Sequence, residues 1–160
     1  MELRTPRLNI VLQDREEVER MIAAMPESDR AQVSPHWLAQ LRASTEPDPW
    51  VLAFSAVLRE TGEVVGNCSF KGPPVDGTVE IAYGISPDHQ NRGYATEAAR
   101  ALTEFAASRP DVRLIRAHTL PNGVASQRVL VKCGFKHVGE VIDPEDGTVA
   151  RFERATDTRA

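Results

Sequence analysis

The stretch from Thr78 to Thr96, TVEIAYGISPDHQNRGYAT, decides both the fold and the function of this chain. It begins as an apolar strand, continues as a polar loop and enters an alanine-rich helix directly after Gly93. A junction of this kind directs several backbone N–H groups and the positive end of a helix dipole at one point. The stretch therefore predicts a binding site for a phosphate-bearing ligand that is built from main-chain groups and needs no lysine.

The strand within this stretch has two unlike faces, because alternate residues of a strand point to opposite sides. The odd positions, predicted to face the core, are Val79, Ile81, Tyr83 and Ile85. Most even positions carry small side chains and form a shallow trough in which Glu80 is the ionisable residue. Gly93 permits positive φ and lacks the Cβ that would obstruct an incoming diphosphate. On these residues alone, the alternative to a phosphate site is an ordinary strand–loop–helix connection. The sequence contains neither of the two best-known glycine-rich phosphate loops.

Three motifs give the chain a family resemblance. Gln90 to Ala95 reads Q-x-x-G-x-A, which resembles the acetyl-CoA loop of the GNAT superfamily of N-acetyltransferases. Residues 125–135, ASQRVLVKCGF, resemble that superfamily's later block, N-x-x-S followed by a short helix and G-F. The opening Thr5-Pro6-Arg7-Leu8 is similar to the T-x-R-L start of the RimJ/RimL-like branch. The motifs occur in the family's order and together cover nearly the whole chain.

The resemblance implies the α+β GNAT acyl-CoA N-acyltransferase fold, with a central mixed, mostly antiparallel sheet of about six or seven strands flanked by helices. The hydrophobic patterning agrees, since it predicts four strands, a helix, a strand, a helix and two strands. In the family fold the fourth and fifth strands, here the trough strand and the strand from Leu114 to Leu120, splay apart around the pantetheine arm. We expect one domain over residues 1–155 and a short tail at residues 156–160.

The resemblance also implies which residues hold acetyl-CoA, the expected co-substrate. They are Ile85, Ser86, Gln90, Asn91, Arg92, Gly93, Tyr94, Ala95, Thr96, Asn122 and Ser126. One position departs from the family pattern, because the asparagine expected three residues before Ser126 is Gly123, and Asn122 stands one place earlier. We interpret Arg128 and Lys132 as charges on the helix surface rather than as phosphate ligands.

Glu80, His118 and Ser126 are the candidate catalytic residues. Acetyl transfer from a thioester to an amine needs a neutral amine and a stabilised thiolate. Glu80 would relay the amine proton through water, and a cross-strand salt bridge or a plain surface charge is the competing interpretation of that residue. His118 competes for the same role, because imidazole titrates near neutral pH; a structural role is its alternative.

On the leaving-group side, Ser126 matches the serine that lies near the CoA sulfur in the RimJ/RimL-like branch. It would hydrogen-bond the thiolate, or cap the helix as its first residue. Many family members place a tyrosine shortly after this motif, whereas this chain has tyrosine only at positions 83 and 94, so we expect that acid to be missing. Cys133 has no recognisable base beside it, and direct attack in a ternary complex is expected instead of an acetyl-enzyme.

The function implied is transfer of acetyl from acetyl-CoA to a primary amine: a protein N-terminus, an amino acid or a small amine. The alternative from another class is a non-catalytic acyl-CoA-binding or sensory module of the same fold. The sequence does not determine which of these acceptors is used, or whether acetyl or another acyl group is transferred. A homodimer is compatible with it.

Length, composition and charge limit which other classes of protein this chain could belong to. With 160 residues, 41% hydrophobic and a net charge of −4, the chain is typical of a small globular protein and not of a nucleic-acid-binding surface. The longest nearly continuous apolar run, Val51 to Leu58, is too short to span a membrane, and no export signal opens the chain, so we expect a cytoplasmic protein. Cys68 and Cys133 lack ligand spacing, as do the histidines, so no metal is expected.

Overall fold

Within residues 1–43 and 48–156, which this computed structural model describes, eight strands form a single sheet flanked by helices. The strands are β1 (Glu2–Arg4), β2 (Leu8–Leu12), β3 (Phe54–Leu58), β4 (Val64–Phe70), β5 (Thr78–Ile85), β6 (Leu114–Thr119), β7 (Lys136–Asp143) and β8 (Gly147–Ala155). The helices are α1 (Arg15–Ala24), α2 (Glu27–Arg30), α3 (Pro35–Arg42), α4 (Tyr94–Ala107) and α5 (Val124–Lys132), with a 3₁₀ turn at Pro87–His89.

The sheet is mixed and mostly antiparallel. Its strand order is β1-β2-β3-β4-β5-β6-β8-β7, and only β5 and β6 run parallel among the neighbouring strands described. The predicted fold class is thereby confirmed, although the sheet has eight strands instead of six or seven. The additional strand is β1, whose three residues are too few for an alternating pattern to be recognised in the sequence.

β5 and β6 separate after a short ladder. Their paired residues end at Glu80 and Arg116, although β5 continues to Ile85 and β6 to Thr119. The predicted splay is thus confirmed, between strands that become the fifth and sixth because β1 precedes them. The resulting gap connects the two faces of the sheet beside the carboxyl end of β5.

Helix α4 covers the centre of the sheet and fixes one side of this gap. Ala98, Ala99, Leu102 and Ala106 are fully buried, at the three- and four-residue spacing of one helical face. The alanines allow the helix to lie close to the strands, and burial of a leucine such as Leu102 contributes about 1.5–3 kcal/mol. The face of β5 beneath it includes Val79 and Ile81, both buried as predicted.

Gly66 on β4 lies where backbone of β5 comes very close. A Cβ built at Gly66 would approach the carbonyl oxygen of Gly84 to 2.2 Å, far inside van der Waals contact. Only glycine therefore fits at this position without a shift of the end of β5, the part of the strand that leads to the loop before α4.

The helices α1 and α3 before β3 begin at capping side chains. Asp14 accepts a hydrogen bond from the backbone N–H of Glu16 at 2.7 Å and caps α1. Ser34 caps α3 through the N–H of Trp37, with Pro35 as the first helical residue. The four-residue α2 was not predicted, since one turn carries too little periodicity to be detected.

The domain span of residues 1–155 stays a prediction. Thr156, assigned to the tail, donates its backbone N–H to the carbonyl oxygen of Arg113 at 3.0 Å and its hydroxyl to that of Val112 at 2.7 Å. Residues 157–160 of the predicted tail lie outside the residues that the structure describes.

Candidate active site

The loop between β5 and α4 presents a series of backbone amides that lack partners. Asn91 and Gly93 both adopt left-handed backbone conformations, with φ of 64° and 86°, and Gly93 is the N-cap of α4. Within the described parts of the chain, the N–H groups of residues 91–96 have neither a backbone nor a side-chain acceptor. Consecutive free N–H groups at a helix N-terminus form a concave donor site for an anion.

Side chains hold this loop in place from behind. Gln90 donates its side-chain amide to the carbonyl oxygen of Ile85 at 3.0 Å. Ser86 donates its hydroxyl to the carbonyl oxygen of Val65 at 3.1 Å and lies 2.8 Å from Nδ1 of His89. The other ring nitrogen of His89 lies 3.1 Å from a carboxylate oxygen of Glu63. These contacts tie the loop to β4 and β5, so its amides are preorganised.

A cavity of about 540 Å³ lies between the loop, the end of β5 and α5. Its lining is Tyr83, Gly84, Ile85, His89, Gln90, Asn91, Gly93, Tyr94, Ala95, Thr96, Ala125, Ser126, Arg128, Val129 and Lys132. Most of the predicted acetyl-CoA residues are therefore brought together around one cavity of ligand size.

Three predicted cofactor residues do not line this cavity. The hydroxyl of Ser86 is occupied within the loop. Arg92 is exposed outside the lining. Asn122 belongs to a tight turn before α5, in which its carbonyl oxygen accepts from the N–H of Val124 at 2.9 Å. Contact of these three side chains with a ligand stays a prediction, and the backbone N–H of Arg92 belongs to the amide series described above.

Two basic residues that the sequence interpretation placed on the helix surface also border the cavity. Arg128 and Lys132 on α5 line the cavity, opposite the loop amides, instead of only covering the outer helix surface. Their four-residue spacing places both on one face of α5. The missing information was the direction of that face, which depends on how α5 packs against α4 and β6.

Tyr83 and Ser126 meet in the cavity. The two hydroxyl oxygens are 2.9 Å apart, and the Tyr83 hydroxyl also donates to the carbonyl oxygen of Ser126 at 3.2 Å. Burial raises the pKa of Tyr83 to about 12, against a smaller lowering by the hydrogen bond with Ser126. The phenol thus keeps its proton throughout the neutral pH range. A tyrosine is present in the site after all, but it comes from β5 instead of from the segment after α5.

Ser126 does not cap α5, contrary to one of its two interpretations. The helix begins at Val124 with Gly123 as its N-cap, so Ser126 is the third helical residue. The turn formed by Asn122 and Gly123 starts the helix two residues earlier than the sequence pattern predicts. The side chain of Ser126 is consequently free of a capping bond and reaches Tyr83.

Glu80 and His118 are hydrogen-bonded to each other at the edge of the gap. The distance from Nδ1 of His118 to Oε2 of Glu80 is 2.8 Å, and Nζ of Lys71 lies 3.3 Å from the same oxygen. Nε of Arg151 donates to Nε2 of His118 at 3.1 Å. Because a guanidinium can only donate, Nε2 must accept, and the ring proton lies on Nδ1, facing the carboxylate. The two side chains that were considered competitors form one chain of hydrogen bonds.

The carboxylate and the phenol lie on opposite faces of the sheet. Glu80 and Tyr83 are three residues apart on β5, an odd separation that places their side chains on different sides. Their Cα atoms are separated by roughly 10 Å along the strand. Both border the gap between β5 and β6, so a ligand within the gap is accessible from the two sides.

Across residues 4–136 the sequence matches the model of the acetyltransferase (GNAT) domain family. This range includes β5, the amide loop, α4 and all of α5. The chain belongs to the GNAT acetyltransferase family. The resemblance predicted from the three motifs is thereby confirmed, and the amide loop and the gap between β5 and β6 belong to a GNAT acetyltransferase domain.

Relatives and solved structures agree with this assignment. The uncharacterized N-acetyltransferase YjdG of Bacillus subtilis (strain 168) is 32% identical over 114 residues, 69% of this chain and 66% of YjdG. The matches span between 51% and 66% of the length of the first three curated relatives. RimL, a ribosomal L7/L12 alpha-N-protein acetyltransferase in complex with coenzyme A, shares the fold with a TM-score of 0.74, 17% identity and coverage of 99% and 100%.

A second solved structure is AAC(6')-Ib in complex with ribostamycin and coenzyme A. Its TM-score is 0.68 at 20% identity, with coverage of 96% of this chain and 98% of that chain. At these identities the two solved structures establish the fold of the GNAT domain alone.

The two thiols of this GNAT domain are free and buried. Burial raises the pKa of Cys68 to about 12 and also raises the pKa of Cys133. Cys133 donates weakly to the carbonyl oxygen of Thr96 at 3.7 Å. A thiol with a raised pKa forms little thiolate at neutral pH, so Cys133 is a poor nucleophile.

No three His, Cys, Asp or Glu side chains among residues 1–43 and 48–156 are grouped so that they could hold a metal ion. In the same parts of the chain, no helix has the length and apolarity needed to cross a membrane.

Proposed function

We propose that this chain is an acetyl-CoA-dependent N-acetyltransferase that acts on a primary amine. The observation that carries the proposal is the series of free amides at residues 91–96, which opens into the cavity that reaches Tyr83 and Ser126. A ligand that carries both a diphosphate and a thioester would use both features: the amides for the diphosphate and the two hydroxyl groups for the thioester. Acetyl-CoA has both groups.

The amides of residues 91–96 would bind the diphosphate, supported by the dipole of α4. Arg128 and Lys132 lie across the cavity and would add charge attraction to the phosphates. The pantetheine arm would enter the gap, where the β5 backbone beyond Glu80 has no partner on β6. Unpaired backbone groups at that edge are available for the amides of the arm.

Glu80 would accept the proton of the incoming amine through a water molecule. Its carboxylate borders the gap on the face opposite to Tyr83, and His118 donates to only one of its oxygens. The lone pair of His118 Nε2 is occupied by Arg151, which favours Glu80 over His118 as the base. His118 would then orient the carboxylate, and Arg151 would fix the tautomer of His118.

Tyr83 and Ser126 would stabilise the leaving thiolate. The amine nitrogen attacks the thioester carbon, the C–N bond forms and the C–S bond breaks, so negative charge develops on sulfur. A phenol with a pKa of about 12 is a weaker acid than an ordinary thiol near ~8.5. The Tyr83 hydroxyl would therefore donate a hydrogen bond to sulfur instead of transferring its proton completely.

The acceptor class is proposed as a protein N-terminus, an amino acid or a small amine. RimL acts on a ribosomal protein, and AAC(6')-Ib was solved with ribostamycin, so relatives of this fold differ widely in acceptor. A cytoplasmic location is proposed because free, buried thiols are typical of reducing compartments.

Release of free thiol from acetyl-CoA in the presence of a panel of amines tests the proposal directly. The panel contains peptides with a free N-terminus, amino acids, polyamines and aminoglycosides. Thiol release that depends on one amine class, with a matching mass increase of that amine, is expected. Tight coenzyme A binding without thiol release for any amine would instead favour the non-catalytic module.

Glu80→Gln tests the assignment of the base. We expect kcat/KM to fall roughly 100-fold and to lose its dependence on the deprotonated carboxylate. Glu153→Gln is the matched control, because Glu153 also forms a cross-strand pair on this part of the sheet, with Arg116 at 2.7 Å. An unchanged pH profile of kcat/KM in Glu80→Gln would exclude this role for Glu80.

A further inference from the structure

The segment from Thr5 to Leu8 is bonded to the first turn of α4. The Thr5 hydroxyl donates to Oε1 of Glu97 at 2.5 Å, and the backbone N–H of Arg7 donates to the same oxygen at 3.0 Å. Nε of Arg7 donates to Oε2 of Glu97 in a close ion pair. Both carboxylate oxygens are thus used, and a segment about ninety residues away in sequence is joined to the helix that carries the loop amides.

The guanidinium of Arg7 also lies directly beside the amide series. It stacks over the ring of Tyr94, with 4.6 Å between its central carbon and the ring centroid. A Cβ at Gly93 would come within 2.8 Å of Nη2 of Arg7. The side chain of Arg7 is 47% exposed, so this cation faces solvent at the entrance to the amides.

Glu97 is an unfavourable charge for a ligand that binds there. Its side chain is 11% exposed. Partial burial raises the pKa of this carboxyl, but the hydrogen bonds from Thr5 and Arg7 outweigh burial and hold it below its ordinary value. Glu97 is therefore ionised at neutral pH, in the same helical turn that receives the ligand. A diphosphate of the same sign would be repelled unless a cation compensated the carboxylate.

We propose that Arg7 is a positioning residue for the diphosphate, because it neutralises Glu97 and supports the turn at Gly93 and Tyr94. The opening Thr5-Pro6-Arg7-Leu8 then belongs to the cofactor site, although in sequence it stands far from the loop. The inference rests on the proposed function, since it assumes that the anion bound at residues 91–96 is the diphosphate of coenzyme A.

A double-mutant cycle separates charge compensation from a purely mechanical role. Coenzyme A affinity is measured by calorimetry at low salt for wild type, Arg7→Met, Glu97→Gln and the double variant. With charge compensation, Arg7→Met raises Kd about 10-fold, whereas Glu97→Gln leaves Kd unchanged or lowers it, because it leaves the cation without its carboxylate. The double variant then binds nearly as well as wild type. Raising the salt to about 1 M reduces the effect of Arg7→Met.

Arg59→Met is the matched control for the segment itself. Arg59 donates to the carbonyl oxygens of Thr5 at 3.0 Å and Pro6 at 3.4 Å, so its guanidinium is bonded to the same segment and not to Glu97. The Kd of the Arg59→Met variant for coenzyme A is expected to stay within about 2-fold of the wild-type Kd, since no charge beside the amides of residues 91–96 changes. Thermal unfolding identifies any variant that does not fold, and Arg7→Gln replaces Arg7→Met in that case.

The outcomes are distinct. Equal loss of affinity in Arg7→Met and Glu97→Gln, without recovery in the double variant, would overturn charge compensation by Arg7. Unchanged affinity in Arg7→Met would overturn the inference as a whole. A folded wild-type chain that did not bind coenzyme A would refute the proposed function, and this inference with it.

Discussion

Replacing Tyr83 by phenylalanine removes one hydroxyl from the cavity and leaves the ring and its packing in place. The lost group lies 2.9 Å from the Ser126 hydroxyl and 3.2 Å from the Ser126 carbonyl oxygen. If the hydroxyl stabilises the thiolate, its removal affects mainly the chemical step. We expect kcat to fall about 100-fold, which corresponds to about 2.7 kcal/mol of transition-state stabilisation. The KM for acetyl-CoA is expected to change little, because the substitution leaves intact the amides of residues 91–96 that we propose to bind the diphosphate.

The same substitution has a defined effect on stability. Loss of the hydrogen bond to Ser126 lowers the free energy of unfolding by about 1 kcal/mol at neutral pH. The folded-state pKa of Tyr83 is about 12, above the ordinary value of 10.0. A protonated phenol of this kind stabilises the fold fully below about pH 10, and that contribution is lost as the pH rises toward 12. The phenylalanine variant therefore lacks this loss of stability at high pH.

Initial rates of thiol release at saturating amine measure kcat, and chemical denaturation at several pH values measures stability. Tyr94→Phe is the matched control, because it removes the other tyrosine hydroxyl of the chain, which is outside the Tyr83–Ser126 pair. Equal values of kcat in Tyr83→Phe and wild type would refute the leaving-group role. A large loss in Tyr94→Phe but not in Tyr83→Phe would refute the geometry of the site.

Three further predictions concern packing, acid stability and phosphate binding. Gly66→Ala lowers the free energy of unfolding by about 1–3 kcal/mol in denaturant titrations, since its Cβ meets the Gly84 carbonyl. Gly84→Ala is the control, because its Cβ meets nothing within 4 Å. Equal stabilities of the two variants would contradict the strand spacing. Glu97 has a lowered pKa, so its stabilising contribution is present above about pH 4.5 and lost as the pH falls below it. The stability of Glu97→Gln should therefore decline less steeply in acid than that of wild type. Identical acid profiles of the two proteins would argue against the bonds to Thr5 and Arg7. Lys132→Met raises the KM for acetyl-CoA about 3- to 10-fold with kcat unchanged, because a phosphate loses one cation; an altered kcat with constant KM would oppose this placement.

The centre of the fold could be predicted from sequence because two regular patterns meet at one glycine. Alternation along β5 and the three- and four-residue spacing of Ala98, Ala99 and Leu102 on α4 are local features, and both elements lie where they predict. β1 and α2 were missed, since segments of three and four residues carry no measurable period. The loop between β5 and α4 needs left-handed backbone conformations, and the sequence supplies Asn91 and Gly93 there.

The chemistry of the site depended on contacts that no local pattern contains. Tyr83 was assigned to the core by alternation, and only the end of the β5–β6 ladder makes its side chain part of a cavity. The bond between Glu80 and His118 requires the register of two parallel strands. The bond between His118 and Arg151 requires the antiparallel register of β6 and β8.

The claim on which this account depends is that the main-chain amides of residues 91–96 bind the diphosphate of coenzyme A. Amide chemical shifts of the ¹⁵N-labelled protein, followed during titration with coenzyme A, report on these groups one by one. We predict large, saturable downfield shifts of the amide protons of residues 91–96, since each would gain a charged acceptor. Saturable binding with those six amides unshifted, and the changes confined to other parts of the chain, would contradict the account.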